Sequence, residues 1–457
     1  MRNTAIKVEP ELRPSSATPD TTVALSAFRF PHGDAMSNRL LHLARSATPE
    51  GGTTVVVNDW PPQGSPPPAA PILPAGVRLI TLTGSPQGRW GRWWWQWTRP
   101  WRMVRALRRH GLRPADLAGV CVPLNLWSLT TWLVLRTALR RPLTVDVCER
   151  HDAAQFPRGR WTPYFLRHRW ASMLAARLAD RVTTVSQTLG ERFRAAGRPT
   201  LVVPPLVDPT EYARCDPPPT ATGVRLLYAG TAGPKDLLAV VVSALLALPP
   251  ADRDRIELVV AGMTGADAAR ASDLDRGQLV EVGDRVTFLG RVPRDRVLAE
   301  LSRSHLSVLV RPDAGYANAG FPSKVPESLA AGCPVLLNHT SDLHRYVVDG
   351  QEGIVLAGST VADVGAGLRR AARLDDAGWR QLSLAARNRA TTSFDYRAWR
   401  STVSTFVATG STAPDGSAGS PDAGTDGSAE PGTDGSPDAG VGGVPGPSGA
   451  RSDSSAN

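Results

Sequence analysis

The residues of this sequence best placed to do chemistry are charged side chains set beside glycine or proline turns. In AGFPSKVPESLAAGCPVLLN (319–338), Gly320 and Pro322 make a constrained turn, Ser323 stands where a helix N-cap is expected, and Glu327 falls in the first turns of the helix that follows. A helix N-terminus offers free N–H groups and the positive end of a dipole, so it attracts an anion, and Lys324 adds a full charge beside it. A phosphate at this turn, with a carboxylate a few residues on to take a pair of sugar hydroxyls, would hold a nucleotide. In YAGTAGPKDLL (228–238) a strand runs into a glycine-rich turn: Gly230 and Gly233 permit close backbone approach, and Lys235 can set its ammonium on a diphosphate. DVCERHDAAQF brings Glu149, His151 and Asp152 together just past the carboxyl end of a strand. An imidazole or carboxylate there orients a sugar or accepts a hydroxyl proton, work that needs a group titrating near neutrality; a structural histidine is the alternative.

These turns need a framework that aims them at one place. Short β-branched runs (TTVALSAF, TTVVVN, VRLITLT, LAGVCV, LTVDVC, RVTTVS, TLVVP) alternate with helical patterns over 21–203, the rhythm of a parallel sheet covered on both faces. The helices expected between them include SNRLLHLARSA, WRMVRALRRHG, a run from Trp127 to Leu139, YFLRHRWASMLAARLA and SQTLGERFRAAG. Proline-rich PPLVDPTEYARCDPPPTATG (204–223) breaks the rhythm and reads as a linker, because each proline removes a backbone donor and fixes φ. A second βαβ series occupies 224–392, and 393–408 is expected as a helix able to pack back on the first domain. The fold class is therefore α/β, with two Rossmann-like domains facing across a cleft, since ligands of such sheets bind at the carboxyl ends of the strands.

Of the 457 residues, 42% are hydrophobic, enough for two cores, and the net charge of +10 asks for anionic company. Residues 1–20 read as a disordered leader without an apolar signal region, and 409–457, rich in Gly, Ser, Pro, Asp and Ala, as a disordered tail. The four scattered cysteines lack metal-ligand spacing and are expected to be reduced thiols of a cytoplasmic protein. No metal is expected: the DxD pairs Asp252/Asp254 and Asp273/Asp275 lie before a strand and within a helical pattern, not at a strand's carboxyl end. The uncharged run 117–135 is about as long as the ~20 residues of a bilayer span, but Pro123 and Asn125 divide it into a strand and a helix.

The stretch 319–338, with SDLHRYVVDGQEGIVL after it, resembles the donor-binding domain of GT-B glycosyltransferases, in particular glycosyltransferase family 4, and the likeness extends over nearly all of 21–408. It implies a retaining transfer of sugar from a nucleotide-sugar, with no metal or other cofactor, to an acceptor that the sequence does not name. It also implies that Glu327 holds the nucleotide ribose and that 320–324 (Gly320, Phe321, Pro322, Ser323, Lys324) lies beside the donor phosphates. In the loop after the first donor-domain strand, Gly230, Thr231 and Lys235 border those phosphates, with Thr231 where an arginine is common. The turn FLGRVPRDRV makes Arg291 and Val292 base-contact candidates; Gly33 and Asp34 of FPHGDAMSNRL face the cleft, as does His151. Ala319 stands where the family commonly has a glutamate eight positions before Glu327, leaving the transferred sugar to backbone amides around 318–321. The losses at Ala319 and Thr231 keep a second reading open, a non-catalytic protein that binds a sugar nucleotide or a partner.

RWGRWWWQWTRPWRMVRALRR (89–109) interleaves tryptophan with arginine and contains no carboxylate. Its last half is expected as an amphipathic helix beginning at Trp101. The tryptophans before it suit the headgroup region of an anionic membrane on the cytoplasmic face, an apolar acceptor wall, or core packing. Nucleic acid is not expected as a partner, because the two sheets account for the rest of the chain.

Overall fold

The computed structural model describes residues 19–411 apart from 29, 31–34, 60–72, 83, 85–87, 232–234, 272–273 and 275. Gly33, Asp34, Gly233, the pair Asp273/Asp275 and nearly all of the expected leader and tail lie outside the described residues.

Two all-parallel sheets form the frame. The first holds β1 (Thr21–Ser26), β2 (Thr53–Asn58), β3 (Val77–Thr81), β4 (Leu117–Pro123), β5 (Leu143–Val147), β6 (Arg181–Thr184) and β7 (Thr200–Val202), in the spatial order 3-2-1-4-5-6-7. The second holds β8 (Val224–Ala229), β9 (Ile256–Ala261), β10 (Val286–Gly290), β11 (Leu306–Leu309), β12 (Val335–Asn338) and β13 (Gly353–Leu356), in the order 10-9-8-11-12-13. In both, the order reverses beside the first strand, which opens a crevice at the carboxyl ends. Strands such as β1, β5 and β11 are buried at every position, as expected of parallel strands covered on both faces.

The helices of the first domain are α1 (Ala35–Ala47), α2 (Gly88–Arg109), α3 (Leu129–Leu139), α4 (Pro163–Leu178) and α5 (Gln187–Ala195). Side-chain oxygens of Ser128 and Ser186 cap α3 and α5. The apolar run 117–135 thus divides into β4, a 3-10 turn and α3, which starts at Leu129 rather than Trp127 because Ser128 takes the cap. Among the described residues no helix is long and apolar enough to cross a membrane.

The tryptophan segment departs from expectation: α2 begins at Gly88 and runs unbroken through Pro100. Asp59, buried at the end of β2, pairs with both Arg99 and Arg102 and so clamps the helix on each side of the proline. Arg102 also lies 3.4 Å over the Trp95 ring and donates to the Trp95 carbonyl at 2.6 Å. Trp95 faces inward, whereas Trp90, Trp93, Trp94, Trp97 and Trp101 are exposed, Trp90 by 82%.

The linker is built in rather than slack. Val207 bridges to Asp395, the Cys215 amide donates to the Ala331 carbonyl, and the Asp216 amide to that of Ser302. The helix Arg400–Thr409 lies against α1 and β4; Val407 fills the space left by Gly119, and Arg181 donates to the carbonyls of Val407 and Ala408.

Candidate functional site

Where the second sheet's carboxyl ends meet the first domain, the helix Lys324–Ala331 points its N-terminus at the cleft. Ser323 sits at its N-cap with helical φ and ψ and makes no side-chain capping bond, so the expected serine cap is not formed; the Val325 amide donates to the Pro322 carbonyl and Pro326 carries no N–H. Phe321 is buried edge-on against Tyr346 and Phe394, and Pro322 is buried too. At Phe321 only the backbone is left to meet a ligand.

Lys324 is held from below. Its Nζ lies 2.6 Å from Asp236 Oδ2 and 5.1 Å above the Tyr228 ring, while Arg311 donates to the other Asp236 oxygen at 3.1 Å. Burial works to raise the Asp236 carboxyl, and the two cations overcome it, holding the group below the usual carboxylate range. Gly230, at φ +149°, is the position over which the lysine passes: a Cβ there would collide with Nζ. Gly230 therefore acts on the site by yielding space, while Thr231 is exposed.

One turn along the helix, half-buried Glu327 accepts a 3.4 Å hydrogen bond from Asn38 Nδ2 of α1, across the cleft. Burial pushes its carboxyl up, against the pull of Arg294, Asn38 and Lys324. Arg294 donates to the Tyr212 hydroxyl at 3.0 Å, and Tyr212, from the linker, is buried close enough to Glu327 for the carboxylate to help raise its phenol. Arg291 is exposed at the turn after β10 and Val292 is half-buried against the core, so it is Arg294, not Arg291, whose charge reaches Glu327.

The second cluster closes the cleft from the other side. Lys235 Nζ lies 3.1 Å from Glu149 Oε1, and Glu149 Oε2 lies 3.5 Å from His151 Nε2. Burial lowers the His151 pKa and Lys235 lowers it further, against Glu149. The imidazole packs against Phe156, Tyr164 and His168, with the Tyr164 hydroxyl 3.3 Å from Nε2. Asp152 instead accepts from the Ala154 amide and caps a short turn. Ala319 is fully buried and its carbonyl accepts from Ser186 at 2.6 Å, leaving no side chain from this position for a ligand.

Of the other DxD pair, Asp254 pairs with Arg285 and Asp252 lies 4.0 Å from Arg373. No group of three or more His, Cys, Asp or Glu among the described residues could hold a metal.

The structure thus gathers Gly230, Lys235, Lys324, Glu327 and His151 in one cleft and adds Asn38, Tyr212, Asp236, Arg294 and Arg311. Asp236 directly follows Lys235 in the sequence, and Arg294 lies three residues beyond Arg291; proximity to those motifs was their only signal.

Several known proteins are similar to this chain in sequence or in fold. Residues 218–388 match the family model described as glycosyl transferases group 1. A D-inositol 3-phosphate glycosyltransferase of Geodermatophilus obscurus is 30% identical over 247 residues, 51% of this chain and 52% of that protein. The aligned segment thus spans about half the length of that curated relative. Among solved structures, Anabaena Alr3699/HepE in complex with UDP and glucose superposes with TM-score 0.58 at 16% identity, covering 84% of this chain and 98% of that one. A sucrose-phosphate synthase from Thermosynechococcus elongatus gives TM-score 0.61 at 16% identity over 83% and 96% of the two chains.

Proposed function

We propose that this GT-B protein with a glycosyl transferases group 1 domain is a glycosyltransferase of family 4 type, moving a sugar from a nucleoside-diphosphate sugar to an acceptor with retention of configuration. The observation that carries the reading is the convergence of Lys324, Glu327 and Lys235 on the cleft, opposite His151. The two lysines and the positive end of the helix Lys324–Ala331 receive the diphosphate, and as the sugar departs they stabilise the leaving charge inside a cleft that domain closure dries. Glu327 takes the ribose hydroxyls, steadied by Asn38 and Arg294. His151, whose lowered pKa keeps it neutral near pH 7, orients the sugar or accepts the acceptor's proton. The nucleotide complexes of HepE support the donor class.

Five exposed tryptophans on α2, with Leu129 and Leu133 exposed on the neighbouring α3, support a peripheral contact with an anionic membrane. Arg105, Arg108 and Arg109 supply the charge on the same helix.

Incubation with a panel of nucleotide sugars and an acceptor extract, following nucleoside diphosphate release and the anomeric configuration of the product, tests the reading. Release with retention is expected. Nucleotide binding without release would favour the non-catalytic alternative, which the buried Ala319 and exposed Thr231 support.

A further inference from the structure

The described arginines in the second half of α2 fall into two sets. Arg99 and Arg102 share the buried carboxylate of Asp59. Arg105 and Arg108 are exposed and have no such partner among the described residues. Neither α2 (88–109) nor α3 (129–139) contains an aspartate or glutamate, and Asp180, which reaches α3, is taken by Arg136 at 2.8 Å. Three positions apart on one helix, Arg105 and Arg108 are neighbours, with Cβ atoms about 5–6 Å from one another.

Both line an open groove of about 800 Å³ between α2 and α3. That volume falls in the range of about 300–1,000 Å³ that ligand pockets occupy. The apolar wall comes from Trp101 and Val104 of α2 and from Leu133, Val134 and Ala138 of α3. Thr137 also lines it, but its hydroxyl is turned back onto the Leu133 carbonyl at 2.7 Å. An apolar path leads to the groove along α2. Trp90, Trp93, Trp97 and Trp101 recur every three or four residues on one face, all exposed, with ring centroids 6.4 Å apart for the first pair and 5.7 Å for the second. The stripe ends where Trp101 enters the groove and the two arginines begin.

A groove that is apolar along its walls, lined by two uncompensated arginines and continuous with exposed tryptophans fits an alkyl chain with an anionic head. We propose that the groove between α2 and α3 binds one acyl chain of an anionic phospholipid, with the lipid phosphate held by Arg105 and Arg108. The tryptophans rest in the membrane surface and the groove takes a single lipid from it. The inference rests on the membrane contact proposed for α2, to which it adds a saturable site and the chemistry that the site selects: a phosphate on a long chain.

The test is titration calorimetry on the full chain with three soluble probes: dodecyl phosphate below its micelle concentration, dodecyltrimethylammonium with the same chain and the opposite charge, and butyl phosphate with the same head and a short chain. Wild type is expected to bind dodecyl phosphate at one site, and each control about tenfold or more weakly, because one lacks the anion and the other the buried methylenes. Leu133→Glu, which sets a carboxylate in the groove, and Arg105→Gln/Arg108→Gln are each expected to lose about tenfold or more. Trp93→Ser/Trp94→Ser/Trp97→Ser is expected to keep the site. All these side chains are exposed in the native protein, and circular dichroism confirms that the variants are folded. Equal binding of the phosphate and the ammonium, unchanged binding in either groove variant, or no binding of dodecyl phosphate overturns the groove. So does a wild-type dimer in sedimentation velocity that Leu133→Glu splits, because a second copy of the chain would then cover it. Co-sedimentation with anionic vesicles is scored in parallel. Vesicle binding by wild type without dodecyl phosphate binding refutes the groove and leaves the membrane contact standing. Arginine-dependent dodecyl phosphate binding without vesicle binding refutes the membrane contact, and with it the phospholipid as occupant.

Discussion

The ammonium of Lys324 rests 2.6 Å from the carboxylate of Asp236, the two brought together from positions 88 residues apart. The same carboxylate holds Arg311, so one buried anion fixes two cations on the second domain's side of the cleft. Asp236→Asn keeps the shape and removes the charge. The expected result is a fall in kcat of about 10²-fold, the size seen when a leaving-charge stabiliser is lost, together with a lower melting temperature. Nucleoside diphosphate release and a thermal melt check it; a normal kcat would mean that Lys324 needs no such anchor.

Glu327 should show a conflict between stability and function. Its carboxyl titrates above its ordinary value because of burial, so the folded state holds this proton more tightly than the unfolded state does. As pH rises from the unfolded value through the folded one, stability falls, and the cost is fully present above that window. Glu327→Gln is therefore expected to melt higher than wild type at pH 7 and to match it at pH 4, while its transfer rate collapses. Equal stability at both pH values would show that Arg294 and Asn38 already compensate the carboxylate.

Lys235 and Glu149 are expected to shift nucleotide affinity in opposite directions. Lys235→Ala removes a charged donor and should weaken nucleoside diphosphate binding by roughly tenfold or more. Glu149→Gln frees the lysine from its 3.1 Å partner and should tighten it. Calorimetry with UDP and other nucleoside diphosphates reads both; the same sign in both variants would exclude competition between carboxylate and phosphate.

A third pair tests the frame instead of the chemistry. Arg39 of α1 makes a two-pronged contact with Asp146 and also donates to the carbonyls of Val203 and Pro204, where the chain leaves the first domain. Thr183 and Cys148 donate to the same aspartate. Arg39→Met leaves Asp146 buried and short of its cation, at an expected cost of about 3–5 kcal/mol in denaturant unfolding. A cost below about 1 kcal/mol, the range of an exposed pair, would show that the hydrogen bonds suffice.

The membrane contact is best tested on the exposed tryptophans. Trp93→Ser/Trp94→Ser/Trp97→Ser should abolish co-sedimentation with anionic vesicles at low salt, and wild-type binding should weaken as salt rises. Trp95 is excluded because it supports Arg102 inside the fold. Wild type that stays in the supernatant at low salt removes the contact.

What the sequence made legible follows from how far apart the partners lie along the chain. The turn at Gly320–Pro322, the lysines at 235 and 324 and the carboxylate at 327 announce themselves through local grammar, and the strands through β-branched runs. Asp236 was in plain sight beside Lys235, yet its partners lie 75 and 88 residues away, and no local pattern encodes that distance. Tyr212 was hidden by a proline-rich setting that reads as linker, and Asn38 by an ordinary amphipathic helix. The start of α2 was misplaced because Pro100 predicts a boundary, whereas Asp59, some forty residues back, holds the helix together across it.

The last helix among the described residues has a consequence for how this protein is made. Arg400–Thr409 covers α1 and β4, so one face of the first domain stays bare until residues 400–409 have been synthesised. During that interval Ala24, Leu40 and Cys121, which belong to the cluster that Val403 and Phe406 complete, are open to water and to other chains. The first domain is thus finished only after the second, and a ribosome stalled before residue 400 would release a product with an exposed apolar face.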